Sequence, residues 1–322
     1  MNTKVADTAI ASSVQRIASA GTILAASQIA GMILQVFMFS LIQHRLSHAD
    51  NGTLFWIQQT SALAFLLFTE MGINSVVTRL YVAYYTEPHV QERVITTFLI
   101  VRFGLWLLTS LGLCAFAIIT EPTIIEYVAL YLIYSGIAAR GALLRMVFEL
   151  RRRASNRITL PALASLLDLI LTCSALMLMR DQLSLATVII AFALGSVPGF
   201  VIMLLSDKQW HSISIVYFDV RIMHMIFRDT APIFASICMM QLQDKCDTII
   251  LNTYFGREAL GVFAAIMRVI LPCISLLMII ANVVAPPVTQ LYATEPQQAH
   301  KLAISGLRWT LVASSGCAVF IG

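Results

Sequence analysis

The chain has 322 residues, of which 59% are hydrophobic and 12% are charged, and its mean hydropathy is +0.83. Soluble domains are about 45–50% apolar and about 25% charged. This composition excludes a soluble enzyme and predicts an all-α, polytopic membrane protein whose solvent is lipid.

Apolar runs of membrane-spanning length recur along the chain, separated by short polar segments. A short amphipathic stretch precedes the first run, and the runs lie near residues 17–42, 54–78, 94–119, 123–147, 159–179, 183–206, 229–252, 259–285 and 302–322. Only about 13 apolar residues follow Arg308 and Trp309 in the last run, fewer than the ~20 that a crossing helix needs. We therefore expect further helices in the complete protein.

Lys and Arg residues are distributed unevenly between the two sets of loops. If the N-terminus is cytoplasmic and the spans alternate, only Arg45, Arg180 and Arg257 fall in the loops outside. Because cytoplasmic loops carry an excess of Lys and Arg, this asymmetry predicts an N-terminus in the cytoplasm.

Weak internal similarity divides the chain into two halves. The matches are Ala26-Ser27 with Ala235-Ser236, Gly52 with Gly261 at the same offset of 209 positions, and Val77–Tyr81 with Val288–Tyr292. A repeat of six spans predicts two pseudo-symmetric six-helix lobes, a transporter architecture. The predicted units are an N-terminal lobe over 1–206, a cytoplasmic linker over 207–228 with an amphipathic helix in its later part, and an incomplete second lobe over 229–322.

Eight ionisable side chains fall within the predicted spans, where each costs roughly 2.5–3.5 kcal/mol at the bilayer centre. They are Arg102, Arg140, Lys245, Arg268, Glu70, Asp168, Asp244 and Asp247. They either line a polar cavity that binds an anionic headgroup, for which the guanidinium fork suits phosphate, or form ion pairs that hold helices together.

The four cations are not equivalent in their sequence surroundings. Arg140 and Arg268 have no acidic residue within four positions and are the better cavity candidates. Lys245 is flanked by Asp244 and is close to Asp247, which favours a local pair, whereas Arg102 is near enough to the cytoplasmic end of its span to snorkel.

Polar stripes follow the first helix of each half. Gln28 and Gln35 share a face of the first span, and Gln241, Asp244 and Thr248 share a face of the seventh. Such stripes either line a cavity for sugar hydroxyl groups or form interhelical hydrogen bonds worth about 0.6 kcal/mol each. Their presence in both halves favours the cavity.

Motifs of catalysis and of cofactor or metal binding are missing from the sequence. There is no HExxH, GxSxG, Walker loop or GxGxxG, and the six cysteines lie in apolar stretches without zinc-ligand spacing. We therefore expect neither an enzyme nor a cofactor or a metal site.

Two sets of motifs resemble the polysaccharide flippases of the multidrug/oligosaccharidyl-lipid/polysaccharide exporter superfamily. In the first half these are Ala49–Phe55 and Thr69–Ile73; in the second half they are Ala231–Ile233, Asp247–Leu251, Phe255-Gly256 and Leu260–Phe263. The resemblance implies a V-shaped pair of lobes that flips a polyprenyl-diphosphate-linked oligosaccharide across the bacterial inner membrane, for O-antigen, capsule or exopolysaccharide synthesis.

The resemblance also implies a site and partners. A cationic cavity with Arg140, Arg268 and Arg102 would receive the substrate. The implied partners are this lipid-linked oligosaccharide, membrane lipids, and a polysaccharide polymerase with chain-length proteins, and no nucleic acid.

Two other functions are compatible with such a fold. A drug or cation exporter of the same superfamily generally carries an acidic residue in its first helix, and none lies between Ile17 and Ile42. A membrane-embedded glycan polymerase or ligase usually carries a large extracytoplasmic loop, and none is visible in the sequence.

Overall fold

The computed structural model describes residues 26–27, 29–70, 72–84, 87–152, 159–206 and 215–294, with short stretches between 300 and 315. These described residues contain helices and turns and no strand, which confirms the predicted all-α class. The helices are α1 (Ile29–Arg45), α2 (His48–Phe65), α3 (Ile73–Ala83), α4 (Pro88–Thr120), α5 (Ile125–Arg152), α6 (Thr159–Leu178), α7 (Leu185–Ser206) and α8 (Val220–Thr294).

Helices occupy the described parts of the first eight predicted spans, and the described residues of the ninth, between 303 and 315, are also helical. Four described segments are long and apolar enough to cross a membrane, namely His48–Tyr81, His89–Thr120, Leu185–Ile202 and Lys245–Arg268. The apolar helices Ile29–Arg45, Pro122–Ala138 and Leu163–Leu178 are shorter. The second span is interrupted near its middle, where a π-helical turn over Leu66–Glu70 joins α2 to α3.

Helix α8 consists of two arms that meet at Gly256. This residue has φ 77° and ψ −174°, a backbone conformation that is essentially restricted to glycine. We call the arms α8a (220–255) and α8b (257–294). The segment Lys245–Arg268 therefore contains the ends of two helices rather than one crossing helix. Following the Lys and Arg asymmetry, we call the end of the bundle that carries Gly256 and Glu121 the outer end, and the opposite end the inner end.

The sequence predicts an amphipathic interfacial helix in the later part of the linker, up to Arg228. In the structure α8a begins at Val220 and continues without interruption into the seventh span. Ile222 and Ile226 are buried against Ile73, Val77 and Phe98, so the amphipathic face packs on α3 and α4. Burial of these side chains against protein fixes the segment as the first turns of α8a.

Close helix packing holds α6 and α7 together in the N-terminal half. A Cβ atom on Gly195 would lie 1.9 Å from Oγ1 of Thr172, and one on Gly199 would lie 2.3 Å from the carboxylate oxygens of Asp168. The main chain of α7 is therefore in direct contact with side chains of α6. A core that includes Leu176, Val188 and Ile189 completes this contact and anchors Ile42 of α1.

Candidate functional site at the interface between the halves

The two halves cross at a pair of glycines at the outer end. A Cβ atom on Gly52 would lie 1.9 Å from the carbonyl oxygen of Arg257, and one on Gly261 would lie 2.0 Å from the carbonyl oxygen of His48. His48 and Arg257 are themselves 209 positions apart, as are the two glycines. The contact is thus reciprocal between positions related by the offset of the predicted repeat.

Apolar side chains continue the contact below the glycines. Phe55 of α2 meets Phe263 of α8b edge to face, with ring centroids 6.1 Å apart and an interplanar angle of 76°. Leu260 and Ala264 are fully buried beside them. This cluster excludes solvent between the two halves at the outer end.

Arg268, one of the two favoured cavity candidates, lies in the same interface. Its Nη1 donates to Oδ1 of Asn51 at 3.0 Å and to Oε1 of Gln43 at 3.4 Å, and its guanidinium carbon is 4.8 Å from the ring centre of Phe39. The residue is only 5% exposed, and its Nε and Nη2 are buried without a hydrogen-bond partner. Its hydrogen bonds among the described residues go to neutral amide oxygens.

A second arginine closes the outer end of the same interface. Nη2 of Arg257 pairs with the carboxylate of Glu121, and its guanidinium stacks 5.0 Å from the ring centre of Trp56. The pair joins the outer end of α4 to the first residue of α8b. Arg257 is predicted from the sequence only as a residue of a loop outside the membrane, and its pair with Glu121 is seen only in the structure.

Lys245 also makes a contact between the halves. Its Nζ donates to Oε1 of Gln59, which lies on α2. The sequence favoured a local pair with the neighbouring carboxylates, and the structure adds this acceptor from the other half. Gln59 therefore belongs to the interface, and it lies on the helix that also supplies Asn51 and Gly52.

Arg102 lies closer to the inner end and does not join this cluster. Its Nη1 donates to the carbonyl oxygen of Thr69 at 2.7 Å and its Nη2 approaches Oε1 of Glu70 at 3.4 Å. The side chain is 6% exposed, so it binds the π-helical turn instead of snorkelling. A π-helical turn leaves main-chain groups unpaired, and the guanidinium satisfies one of them.

Asp168 lies within the N-terminal half. Its Oδ1 accepts a hydrogen bond of 2.7 Å from the main-chain N–H of Gly199, the residue after Pro198. Proline disturbs the main-chain hydrogen bonds of its helix. Next to Pro198, the carboxylate of Asp168 accepts a hydrogen bond from the main chain of α7.

The remaining predicted site residues are placed only in part. Gln35 and Gln241 are half-buried on α1 and α8a. Arg140 and Asp244 lie on α5 and α8a with side chains outside the described part, and Gln28 lies outside the described residues. Among the described side chains, the site brings together Arg268, Lys245 and Gln59, which the sequence also offers as a polar residue of the second span, with the unpredicted Gln43 and Asn51.

Comparison with known proteins gives one match. Residues 17–292 match the sequence profile of a family described as Polysaccharide biosynthesis protein. No curated protein and no solved structure matches the chain significantly. The match includes both members of the glycine pair and all the described cations of the interface.

Proposed function

The chain belongs to the polysaccharide biosynthesis protein family, and on that premise we propose that it flips a polyprenyl-diphosphate-linked oligosaccharide across the bacterial inner membrane. The N-terminus is cytoplasmic in this proposal, and the protein acts as a transporter rather than as an enzyme. The coarser role, that of a membrane protein in polysaccharide synthesis or export, follows from family membership.

The observation that carries the proposal is the environment of Arg268. This guanidinium is buried between the halves, yet its described acceptors are the neutral side chains of Asn51 and Gln43. A charge that is desolvated without a carboxylate partner is costly and is characteristic of a functional group inside a membrane. An anionic diphosphate is a suitable partner, since a guanidinium donates two parallel hydrogen bonds to phosphate.

The glycine crossing supports an alternating-access mechanism. Gly52 and Gly261 allow the main chains of α2 and α8b to touch without interdigitating side chains, so the two helices can separate without rotamer changes at that point. Small residues at helix crossings are common where membrane helices approach closely. Separation of this contact opens the outer end and exposes Arg268 to the pathway.

The experiment is a complementation assay in a strain that lacks the complete gene. The wild-type gene should relieve the accumulation of lipid-linked oligosaccharide on the cytoplasmic leaflet, and Arg268→Ala should fail to do so at equal membrane abundance. Arg268→Lys should retain partial activity, because it keeps the charge and loses the fork. Arg180→Ala, in an exposed loop, is the matched control and should behave as wild type.

Three outcomes would overturn the proposal. Normal transfer to the outer leaflet in the deletion strain would exclude flipping as the role of this protein. Complete units that reach the outer leaflet but remain unpolymerised would indicate the polymerase or ligase alternative, and a phenotype limited to drug sensitivity would indicate the exporter.

A further inference from the structure

An apolar groove lies between α2 and α4, and its outer end adjoins the interface of the halves. It has a volume of about 550 Å³ and is lined by α2 and its π-helical turn over residues 60–68 and by α4 over residues 105–116. Leu108, Phe68 and Phe116 stand at its open side with 67%, 54% and 49% of their surfaces exposed. We call it the α2–α4 groove.

The groove is a defined depression and not merely a gap between diverging helices. Leu113 and Ala64 form its floor, where they pack on Val128 and Leu132 of α5. Its inner end is closed by Thr69 and Thr109, whose hydroxyl groups are hydrogen-bonded to each other at 3.2 Å. The hydroxyl of Thr109 also donates to the carbonyl oxygen of Leu105, so this end has little residual polarity.

The length of the groove matches one leaflet of a bilayer. The eleven residue steps from Leu105 to Phe116 correspond to roughly 16 Å along a helix at 1.5 Å per residue. The hydrocarbon core of a bilayer is about 30 Å thick, so the groove runs from near the membrane centre to its outer boundary. Both of its helices lie in segments that are long and apolar enough to cross a membrane.

Charged and aromatic groups stand at the outer mouth of the groove. A smaller pocket shares Thr60, Leu113 and Phe116 with the groove and continues it to Trp56 and Glu121. Glu121 is paired with Arg257, which stacks on Trp56 and has a buried Nη1 without a hydrogen-bond partner. Trp and Arg residues at this depth are typical contacts of lipid headgroups.

We propose that the α2–α4 groove binds one zwitterionic phospholipid of the outer leaflet, with an acyl chain in the groove and its headgroup at Trp56, Glu121 and Arg257. The mouth carries one cation and one anion, which matches a headgroup with a phosphate and an amine. A polyprenyl diphosphate carries several negative charges, which the paired Arg257 does not balance. Because lipid surrounds the whole protein, selective binding of one phospholipid must come from the packing of its acyl chain in the groove and from the contacts of its headgroup. The assignment to the outer leaflet rests on the orientation in the proposed function, whereas the site itself does not depend on the transport activity.

The test uses the full chain in lipid nanodiscs with a phosphatidylethanolamine that carries a diazirine on one acyl chain. After irradiation, mass spectrometry should locate the adducts on α2 and α4 at residues 60–68 and 105–116. Excess unlabelled phosphatidylethanolamine should displace the wild-type labelling, which tests the site without any substitution.

Two glycines of α4 provide a matched pair of variants. A Cβ atom on Gly112 or on Gly104 meets no atom within 4 Å, but only Gly112 lines the groove. Gly112→Leu should lower the labelling about fivefold, equivalent to roughly 1 kcal/mol of binding free energy. Gly104→Leu should leave the labelling unchanged.

Three results would overturn the proposal. Equal labelling of every lipid-facing helix would indicate ordinary annular lipid. Stronger labelling of the groove by a diazirine-bearing polyprenyl diphosphate would identify the prenyl chain as the occupant. Equal labelling by a diazirine-bearing diacylglycerol would exclude a headgroup contact with Arg257 and Glu121.

Discussion

Gly52 and Gly261 occupy equivalent positions of the two halves and are packed against each other's helices, each with a carbonyl oxygen of the partner helix at about 2 Å from where its Cβ atom would be. The two glycines are therefore matched by the sequence repeat, and each also contacts the helix of the other. The close approach of α2 and α8b therefore requires glycine at both positions.

Adding a methyl group at this crossing should prevent the outer end from closing. Gly52→Ala and Gly261→Ala each place a Cβ atom against a main-chain carbonyl that cannot rotate away, and such overpacking costs about 1–3 kcal/mol. Spin labels at the outer ends of α2 and α8b should show a longer and broader distance distribution, and flipping should fall strongly. Gly104→Ala, where a Cβ atom meets nothing within 4 Å, is the control. Unchanged spin-label distances in both variants would contradict the close contact of α2 with α8b at these glycines.

Asn51→Asp should change stability and transport in opposite directions. The new carboxylate would lie 3.0 Å from Nη1 of Arg268 and would neutralise a buried charge, a gain on the order of 1 kcal/mol. The same neutralisation would remove the attraction for an anionic substrate. We expect a higher thermal midpoint of the purified protein together with lower complementation activity.

Asn51→Leu serves as the comparison for that variant. It removes the acceptor without adding charge, and we expect a lower thermal midpoint because the guanidinium loses its closest described partner. If Asn51→Asp raised both stability and transport, Arg268 would be a structural latch and not a substrate contact.

The π-helical turn at Leu66–Glu70 should depend on Arg102. Arg102→Met retains the apolar stem but leaves the carbonyl oxygen of Thr69 without its buried donor, at a cost of about 1–3 kcal/mol. Glu70→Gln should have a small effect, because the carboxylate is 48% exposed and its contact with Arg102 is long. Thermal unfolding of both variants measures this difference in stability. An equal fall in the thermal midpoint of the two variants would show that the ion pair with Glu70 is the main contact of Arg102.

The bend between α8a and α8b should require glycine at position 256. A Cβ atom there meets nothing within 4 Å, so the cost of Gly256→Ala is one of backbone conformation alone, about 1–3 kcal/mol or more. We expect lower abundance of folded protein in the membrane and a lower thermal midpoint. Gly112→Ala, at an equally open site with helical geometry, should show neither effect.

The amino-acid sequence by itself determined the architecture of this protein. Apolar runs of bilayer length predicted the helices because unpaired main-chain groups cannot face lipid, and the offset shared by Gly52 and Gly261 predicts a repeat. The sequence also singled out Arg268 as an ionisable residue in a span with no nearby acid. These features are local or periodic, so they can be recognised without knowing which helices are neighbours.

Only the tertiary structure decided which side chains meet. Arg268 contacts Asn51 across 217 positions and Lys245 contacts Gln59 across 186, and no local pattern encodes such pairs. The predicted amphipathic helix of the linker forms the first turns of α8a, where its apolar face packs on α3 and α4. The partners of each polar group depend on how α2, α4 and α8 cross, since the packing decides which acceptors lie within reach of a buried donor.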